Sequence, residues 1–286
     1  MNVKLHGGLG NQLFQWAFGQ GLKAKGIPVA YDNRDCTYFK NYQLNAWGID
    51  VPLVNDPLAN NVNGSPKWDN AERVFHEPGE RVGFYYPEVY EKPLDTLFRG
   101  YWQTEQYFET SASAIRSALA RPQGDMPEDI KHLEQEITSA PKSAFICVRR
   151  GDYMTPALLK AFGCLNKDWY INARRHIELT IGWDTKFFVF SDDPDYCRQS
   201  FGASTIIDHR QPNKDIRMWP TAPWDLYLMS LCQHGVISNS SFAFWAAWLG
   251  DDKRDRIVIA PEPWFRGIES SGVAPLRWMH QQATYL

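Results

Sequence analysis

The feature of this 286-residue chain that most constrains its fold is a regular alternation of strand-like and helical segments after Pro141. Short apolar runs, beginning with residues 143–148, alternate with amphipathic stretches such as 168–181 and 225–233. This alternation is typical of a parallel β-sheet with helices on its faces. We therefore predict an α/β fold with a domain boundary near residue 141. The strands expected beyond it are 143–148, 186–190, 204–207, 236–238 and 256–260.

The N-terminal segment has the pattern of half a nucleotide-binding βαβ unit. A strand-like run at residues 2–5 leads into a glycine turn, and Asn11 is suited to cap the helix that follows. A second strand is expected at 27–31. The full glycine fingerprint is absent, because Leu13 stands where its last small residue is required.

Residues 33–100 show a weaker pattern, for which we predict irregular structure and short helices. The aromatic stretch 98–108 has two interpretations, a packed connector or a wall of an acceptor site, and helices are expected at 111–120 and 127–138. The segment 33–100 is punctuated by Pro52, Pro57, Pro66, Pro78, Pro87 and Pro93.

Composition and charge exclude some function classes. A net charge of -3 gives no general attraction for nucleic acid or for an anionic membrane, so any anion must be recognised locally. The five cysteines form no CxxC pair and are expected to be reduced thiols. The N-terminus shows no signal-peptide pattern and no apolar run is long enough to span a bilayer, so we expect a cytoplasmic protein. Peripheral contact with a membrane is compatible with this expectation.

Two adjacent arginines follow the apolar run 143–148, in the sequence Arg149-Arg150-Gly151-Asp152. Ligands of an open α/β sheet bind where its strands end, and two neighbouring guanidinium groups favour a dianionic ligand such as a diphosphate. The alternative is a surface ion pair between arginine and Asp152, which would contribute under about 1 kcal/mol to stability.

A second polar strand end, Ser191 to Asp195, allows three interpretations. Asp192 is suited to bind a base or a ribose. Asp193 before Pro194 is a good cap for a helix. Asp193 and Asp195 also form a DxD pattern of the kind that holds a divalent metal.

The third such strand end is Ser238-Asn239-Ser240-Ser241-Phe242, which runs directly into an apolar helix. The N–H groups and hydroxyls at a helix N-terminus favour an anion. Serine and asparagine are equally typical of simple caps, but together with the arginines this turn is suited to hold both phosphates of a nucleoside diphosphate.

Five motifs together resemble the α-1,2-fucosyltransferases of glycosyltransferase family 11. In order they are GGLGNQLFQWAFG, GYWQTEQYF, VRRGDY, FSDDP and DLYLMSLCQHGVISNSSFAFWAAWL. The resemblance implies a GT-B-type architecture of two Rossmann-like domains facing across a cleft. It implies residues 1–141 on the acceptor side and residues 142–286 binding GDP-fucose. The tail after Pro261 keeps Trp264, Phe265 and Trp278, so we expect it to pack back on the body of the protein, the first domain included.

The reaction that the resemblance implies is transfer of L-fucose from GDP-fucose, with inversion and without a metal or other cofactor, to the 2-hydroxyl of a terminal β-galactose on a glycan. Carried over by position, Arg149 and Arg150 contact the donor diphosphate, and Asp152 completes the catalytic group. The remaining donor contacts implied by the resemblance are Gly8, Gly10, Asn11, Gln12, Asp192, Asn239, Ser240, Ser241 and Phe242.

One position departs from the family pattern, because Cys147 stands where the arginine motif usually begins with histidine. A thiol is a poor hydrogen-bonding substitute for imidazole. The candidates to replace the imidazole are His6, His209 and His234, and the candidates for a general base are Asp152, Glu105, Asp32 and His6.

Two other classes of function compete with the transferase. The Gly8-x-Gly10 turn and Asp32 suggest a nicotinamide-dependent oxidoreductase, but the incomplete glycine pattern counts against it. The 12 tryptophans and Cys147 suggest an inactive sugar-binding module.

Overall fold

The computed structural model describes residues 1–33, 36, 42–51, 73–79, 81–209 and 221–286. Within these residues the chain forms two compact units, Met1–Leu119 and Ala120–Leu286. The division falls earlier than the expected boundary near residue 141, because the helix at Glu128–Ser139 packs in the second unit, where Glu136 pairs with Lys186 at 2.5 Å. Pro52, Pro57 and Pro66 lie outside the described residues.

The first unit contains a four-stranded parallel sheet. Its strands are β1 (Asn2–Lys4), β2 (Ala30–Asp32), β3 (Val74–His76) and β4 (Leu97–Arg99), in the order β2-β1-β4-β3. Its two α-helices among the described residues are α1 (Leu9–Ala24) and α2 (Ala112–Ala118). Short 3-10 turns occupy Leu44–Trp47, Pro87–Glu91, Glu105–Tyr107 and Glu109–Ser111.

Helix α1 buries the apolar face that its sequence predicts. Leu13, Phe14 and Phe18 are fully buried, and burial extends around the helix to the polar side chains of Gln12 and Gln15. The prediction that Asn11 caps this helix is wrong, because the helix starts at Leu9 with Gly8 in the cap position and Asn11 lies in its first turn. No side-chain hydrogen bond caps this end, and the N–H groups of Asn11 and Gln12 donate to the Gly8 carbonyl, each at 3.0 Å.

The stretch 98–108 is mainly a packed connector. Phe98, Trp102, Tyr107 and Phe108 are buried, and the Trp102 ring stacks on Phe18 with 4.4 Å between ring centroids. Tyr101 alone among the aromatic residues of this stretch is exposed, at 41%.

The second unit contains a six-stranded parallel sheet. Its strands are β5 (Ser143–Val148), β6 (Lys186–Ser191), β7 (Thr205–Ile206), β8 (His234–Ile237), β9 (Val258–Glu262) and β10 (Met279–Gln282). Its α-helices among the described residues are α3 (Glu128–Ser139), α4 (Pro156–Ala161), α5 (Lys167–Ile181), α6 (Pro194–Phe201), α7 (Ala222–Leu231) and α8 (Ser241–Leu249).

The strand order in this sheet is β10-β9-β8-β5-β6-β7. In chain order from β5 this is the doubly wound arrangement of a dinucleotide-binding fold, and the direction of winding reverses between β5 and β8. Ligands of such sheets bind beyond the carboxyl ends of the strands at this reversal. Together with the parallel sheet of the first unit, this confirms the predicted α/β class.

The C-terminal tail belongs to the second unit. Its strand β10 pairs in parallel with β9, from Met279 opposite Ile259 to Gln282 opposite Glu262. The packing of the tail on the first domain stays a prediction. Trp278, just before β10, is buried and its Nε1 donates to Asp251 Oδ1 at 3.0 Å. The sequence of β10 is mostly polar and does not predict a strand, although β10 lies at the edge of the sheet.

Candidate functional site

The first element of the candidate site is the turn after β5. Arg149 Nη1 lies 2.5 Å from Asp192 Oδ2, and Arg149 Nη2 lies 2.5 Å from Asp152 Oδ1. Arg150 Nε lies 3.0 Å from Asp193 Oδ2. The two guanidinium groups are therefore balanced by three carboxylates, of which the sequence interpretation counted one.

Asp192 holds the backbone of this turn as well as its charge. Its Oδ1 accepts the Arg150 N–H at 2.8 Å, while its Oδ2 pairs with Arg149. Gly151 permits this approach, because a Cβ at that position would lie 2.6 Å from Asp192 Oδ2. The structure thus places Asp192 as a support of the arginines, whereas a direct contact with base or ribose remains a prediction.

Asp193 caps helix α6, which is one of the three interpretations that the sequence allowed for this segment. Its Oδ1 accepts the Tyr196 N–H at 3.1 Å, and its Oδ2 is the partner of Arg150. Both oxygens of the proposed DxD aspartate therefore have protein donors. Among the residues that the structure describes, no group of three or more His, Cys, Asp or Glu side chains is placed to hold a metal ion.

Aromatic rings fix the orientation of both arginines. The Arg150 guanidinium lies over the Tyr196 ring at 3.7 Å from its centroid, and Arg149 lies 5.4 Å from the centroid of Tyr153. Burial lowers the pKa of Arg149, but Asp192 and Asp152 raise it by more, so the net direction is upward and the guanidinium keeps its charge.

The turn between β8 and α8 lies beside the arginine turn. The register pairs Cys147 with Ile237, so Arg149 and Asn239, each two residues further on, leave the sheet at the same level. Tyr153 OH donates to the Asn239 carbonyl at 3.1 Å, which joins the two turns directly. The sequence interpretation did not single out Tyr153, although it lies within the quoted motif VRRGDY.

Asn239 is fully buried, and its amide nitrogen is engaged with the protein. Its Nδ2 donates to the carbonyls of Phe162 and Gly163 at 2.9 and 3.1 Å. Ser240 occupies the cap position of α8 without a side-chain capping bond, and Ser241 and Phe242 are half-buried in the first turn. The structure therefore brings the α8 N-terminus next to the arginines, as predicted. The side chain of Asn239 anchors this turn to the backbone at Phe162 and Gly163.

Cys147 is buried near the carboxyl end of β5. Burial raises the pKa of its thiol, and the carboxylates of Asp192 and Asp225 raise it further, so the group stays neutral. Of the two histidines of this unit considered as substitutes, His209 is connected to these surroundings through Asp225, since its Nε2 lies 2.7 Å from Asp225 Oδ1. His234 is at the opposite end of β8, where its Nδ1 accepts the Ile257 N–H at 3.1 Å.

The electrostatics of His209 differ from those of a free imidazole. Its Nδ1 lies 3.6 Å from Asp129 Oδ2, so carboxylates face both ring nitrogens. Burial lowers the pKa of His209, but Asp225 and Asp129 raise it by more, giving a net rise. An imidazolium in this position joins α3 to α7.

The glycine turn of the first unit has its own polar network. Asn11 Oδ1 accepts from Gln103 Nε2 at 3.0 Å, and Gln12, which is fully buried, donates through Nε2 to the Gly7 carbonyl at 2.9 Å. Gly10 is buried within α1. The structure places these predicted donor contacts together, and it connects Asn11 to the turn after β4.

The candidate bases have different surroundings. Asp152 is about half exposed and paired with Arg149, and Asp32 is buried at the end of β2. Glu105 begins a 3-10 turn, and His6 lies after β1 with its ring centroid 4.8 Å from that of Tyr101. The geometry does not select one of them as the base.

Comparison with known proteins bears on this arrangement of parallel sheets and arginine turn. The family model of glycosyl transferase family 11 matches residues 89–267. An α-1,2-colitosyltransferase from Escherichia coli is 28% identical over 306 residues, with 97% of each chain covered. The O-antigen biosynthesis glycosyltransferase WbnK from Escherichia coli is 34% identical over 137 residues, which cover 46% of this chain and 42% of WbnK.

Among solved structures, NodZ α-1,6-fucosyltransferase soaked with GDP-fucose aligns with 87% of this chain and 92% of its own, at 15% identity and a TM-score of 0.48. No α-helix among the described residues has both the length and the apolar character needed to cross a membrane. The extent of the family match places both arginines, Asp192 and the α8 turn inside the matched region. The chain therefore belongs to glycosyl transferase family 11 and is a glycosyltransferase.

Proposed function

We propose that this enzyme transfers L-fucose from GDP-fucose, with inversion, to the 2-hydroxyl of a terminal β-galactose on a glycan. The observation that carries the proposal is the position of Arg149 and Arg150 at the winding reversal of the second sheet, beside the N-terminus of α8. A cationic pair and a helix N-terminus on neighbouring strands are suited to the two phosphates of a nucleoside diphosphate.

The three carboxylates around the arginines decide how a diphosphate enters. Asp192 is nearly buried, with 12% of its side chain exposed, and it also binds the Arg150 backbone. Asp152 is more exposed, at 45%, and within the part of the chain that the structure describes its carboxylate pairs with Arg149 Nη2 alone. We therefore propose that the donor displaces Asp152 from Arg149, while Asp192 keeps the arginine in place.

The chemistry follows from charge development on the leaving group. As the bond between fucose and phosphate breaks, negative charge accumulates on the GDP oxygens and the sugar acquires oxocarbenium character. Arginines that are already oriented by Asp192, Asp193 and the aromatic rings stabilise this charge more in the transition state than in the ground state.

Donor recognition also involves the turn at Asn239–Phe242 and the glycine turn at Gly10–Gln12. In the proposal the N–H groups at the N-terminus of α8 donate hydrogen bonds to a phosphate, and Asn239 keeps that turn in position. The first unit receives the acceptor. Metal-independent binding is part of the proposal, and Asp152, Glu105, Asp32 and His6 remain the candidates for accepting the acceptor proton.

A second donor is favoured by one specific observation, the full-length similarity to an α-1,2-colitosyltransferase. Colitose is an analogue of fucose, so the same diphosphate site would accept its GDP derivative. The difference between the two donors lies in the sugar and not in the arginine turn.

A transfer assay tests the proposal. Purified enzyme is incubated with a terminal β-galactoside and either GDP-fucose or GDP-colitose, with EDTA and with Mg²⁺, and the linkage of the product is determined by NMR. We expect transfer to the galactose 2-position, with equal rates in EDTA and Mg²⁺. A product linked at another hydroxyl contradicts the proposed regiochemistry. Activity with GDP-colitose and none with GDP-fucose would show that GDP-colitose, and not GDP-fucose, is the donor.

Calorimetry with GDP separates the donor site from the acceptor. Binding of GDP in EDTA is expected for the unmodified enzyme and is expected to weaken strongly in the R149A variant. Equal GDP affinity in the two proteins contradicts the diphosphate assignment, even when transfer is observed.

A further inference from the structure

Tyr101 is unusual within its own segment. Its side chain is 41% exposed, whereas Phe98, Trp102 and Tyr107 around it are buried. A core aromatic does not require this exposure, and the buried neighbours already complete the packing of the connector. The question is why an aromatic ring is held at the surface at this point.

The backbone around Tyr101 is fixed by an unusual conformation. Trp102 has a φ of 55°, in the left-handed region that a bulky residue rarely adopts. This conformation turns the Trp102 ring into the core and leaves Tyr101 outside. Strained backbone of this kind persists where the surroundings hold it, and it concentrates at ligand sites.

Two polar side chains hold the turn. Glu77 Oε2 accepts the N–H groups of Tyr101 and Trp102 at 2.6 and 3.0 Å. Gln15 donates to the Gly100 carbonyl at 3.0 Å and accepts the His6 N–H at 2.9 Å. Gln15 therefore connects the backbone before Tyr101 with the backbone of His6, and the two rings lie 4.8 Å apart.

The location is the ligand edge of the first sheet. β1 and β4 are parallel neighbours, and His6 and Tyr101 each lie two residues beyond the end of their strand. The predicted donor contact Asn11 is joined to the same turn through Gln103. An exposed aromatic ring next to an imidazole at this edge has the chemistry of a sugar site.

We propose that Tyr101 and His6 form a pyranose-binding platform for the acceptor, with Glu77 and Gln15 as positioning residues. The negative face of the Tyr101 ring matches the slightly positive C–H bonds on the apolar face of a hexopyranose. His6 supplies a polar ring beside that face for a sugar hydroxyl. The proposal rests on the proposed function in identifying the bound sugar as the acceptor.

The test compares Y101A with Y101F and with W183A, in which an exposed tryptophan of the second unit, at 68%, is removed. Lactose is the acceptor probe and GDP-fucose the donor. We expect Y101A to raise the lactose KM about tenfold, because one aromatic contact with the sugar is lost. The KM for GDP-fucose, measured by its hydrolysis in the absence of acceptor, should be unchanged in Y101A. Y101F and W183A are expected to keep the lactose KM within about twofold.

The positioning role of Glu77 has its own comparison. E77Q retains an oxygen that accepts both N–H groups, whereas E77A does not. We expect E77A to raise the lactose KM as Y101A does, with E77Q close to the unmodified enzyme and the donor KM the same in all three. An unchanged lactose KM in Y101A, or an equal rise in the donor KM, overturns the platform.

Binding without donor makes failure of this inference distinguishable from failure of the proposed function. Saturation-transfer NMR is recorded with the methyl pyranosides of galactose, glucose and N-acetylglucosamine. A saturation-transfer signal on one of these sugars that is lost in Y101A and kept in Y101F supports the platform, and this result does not depend on which sugar nucleotide is the donor. Absence of transfer to all three in the unmodified enzyme overturns it.

Discussion

Different interactions order the ligand edge of each parallel sheet. At the second sheet, Arg149 and Arg150 are oriented by ion pairs to Asp152, Asp192 and Asp193. At the first sheet, the turn around Tyr101 is oriented by hydrogen bonds from backbone N–H groups and by stacked aromatic rings.

The difference corresponds to what each edge is proposed to bind. A diphosphate needs fixed positive charge, and that charge requires compensating carboxylates when no ligand is bound. A neutral sugar needs a flat surface and oriented polar groups, so few charges are required. Changes that remove charge should therefore affect the second edge, and changes that disturb backbone shape should affect both.

The largest expected effect is the loss of one guanidinium. R149A and R150A should each lower kcat by about 10²-fold or more, since a fixed donor to the leaving phosphate is removed. R175A, which removes an exposed arginine of α5, is the matched control, and all three should unfold cooperatively on thermal denaturation. Near-normal turnover of both variants would show that the arginines do not contact the reacting phosphate.

A smaller effect is expected from adding one methyl group to either edge. A Cβ at Gly151 would lie 2.6 Å from Asp192 Oδ2, and a Cβ at Gly100 would lie 2.4 Å from Glu77 Cβ. Each clash is expected to cost about 1–3 kcal/mol of local rearrangement. We expect G151A to raise the donor KM and G100A to raise the acceptor KM, each by about tenfold, measured with the other substrate saturating.

The comparison fails if both glycine variants change the same kinetic constant. G26A provides a control in the first unit, because a Cβ at Gly26 would meet no neighbouring atom. Its φ of 79° makes a modest loss of stability the expected result, with both KM values unchanged.

The sequence was sufficient to predict the position of the arginines. The buried run that becomes β5 ends where the charges begin, and parallel strands have their ligand edge at that end. The β8 to α8 turn was predicted for the same reason. Partners that depend on strand pairing were harder to predict, since Asp192 reaches Arg149 only because β6 lies directly beside β5.

The aromatic stretch shows another limit of sequence patterns. Period-2 alternation cannot tell which of Phe98, Tyr101 and Trp102 faces outward, because the left-handed φ of Trp102 interrupts the period. The edge strand β10 was missed because its residues Met279–Gln282 are mostly polar. In both cases tertiary contacts overrode the local pattern.

The smallest expected effect separates the two carboxylates that face Arg149. D152N removes a partly exposed ion pair, so the free energy of unfolding should change by less than about 1 kcal/mol. If GDP-fucose displaces Asp152, removing its charge should lower the donor KM, by about threefold for a weak exposed pair. A rise in the donor KM contradicts the displacement. A fall in kcat of about 10²-fold at unchanged donor KM would instead identify Asp152 as the general base, because proton transfer contributes rate enhancement of that order.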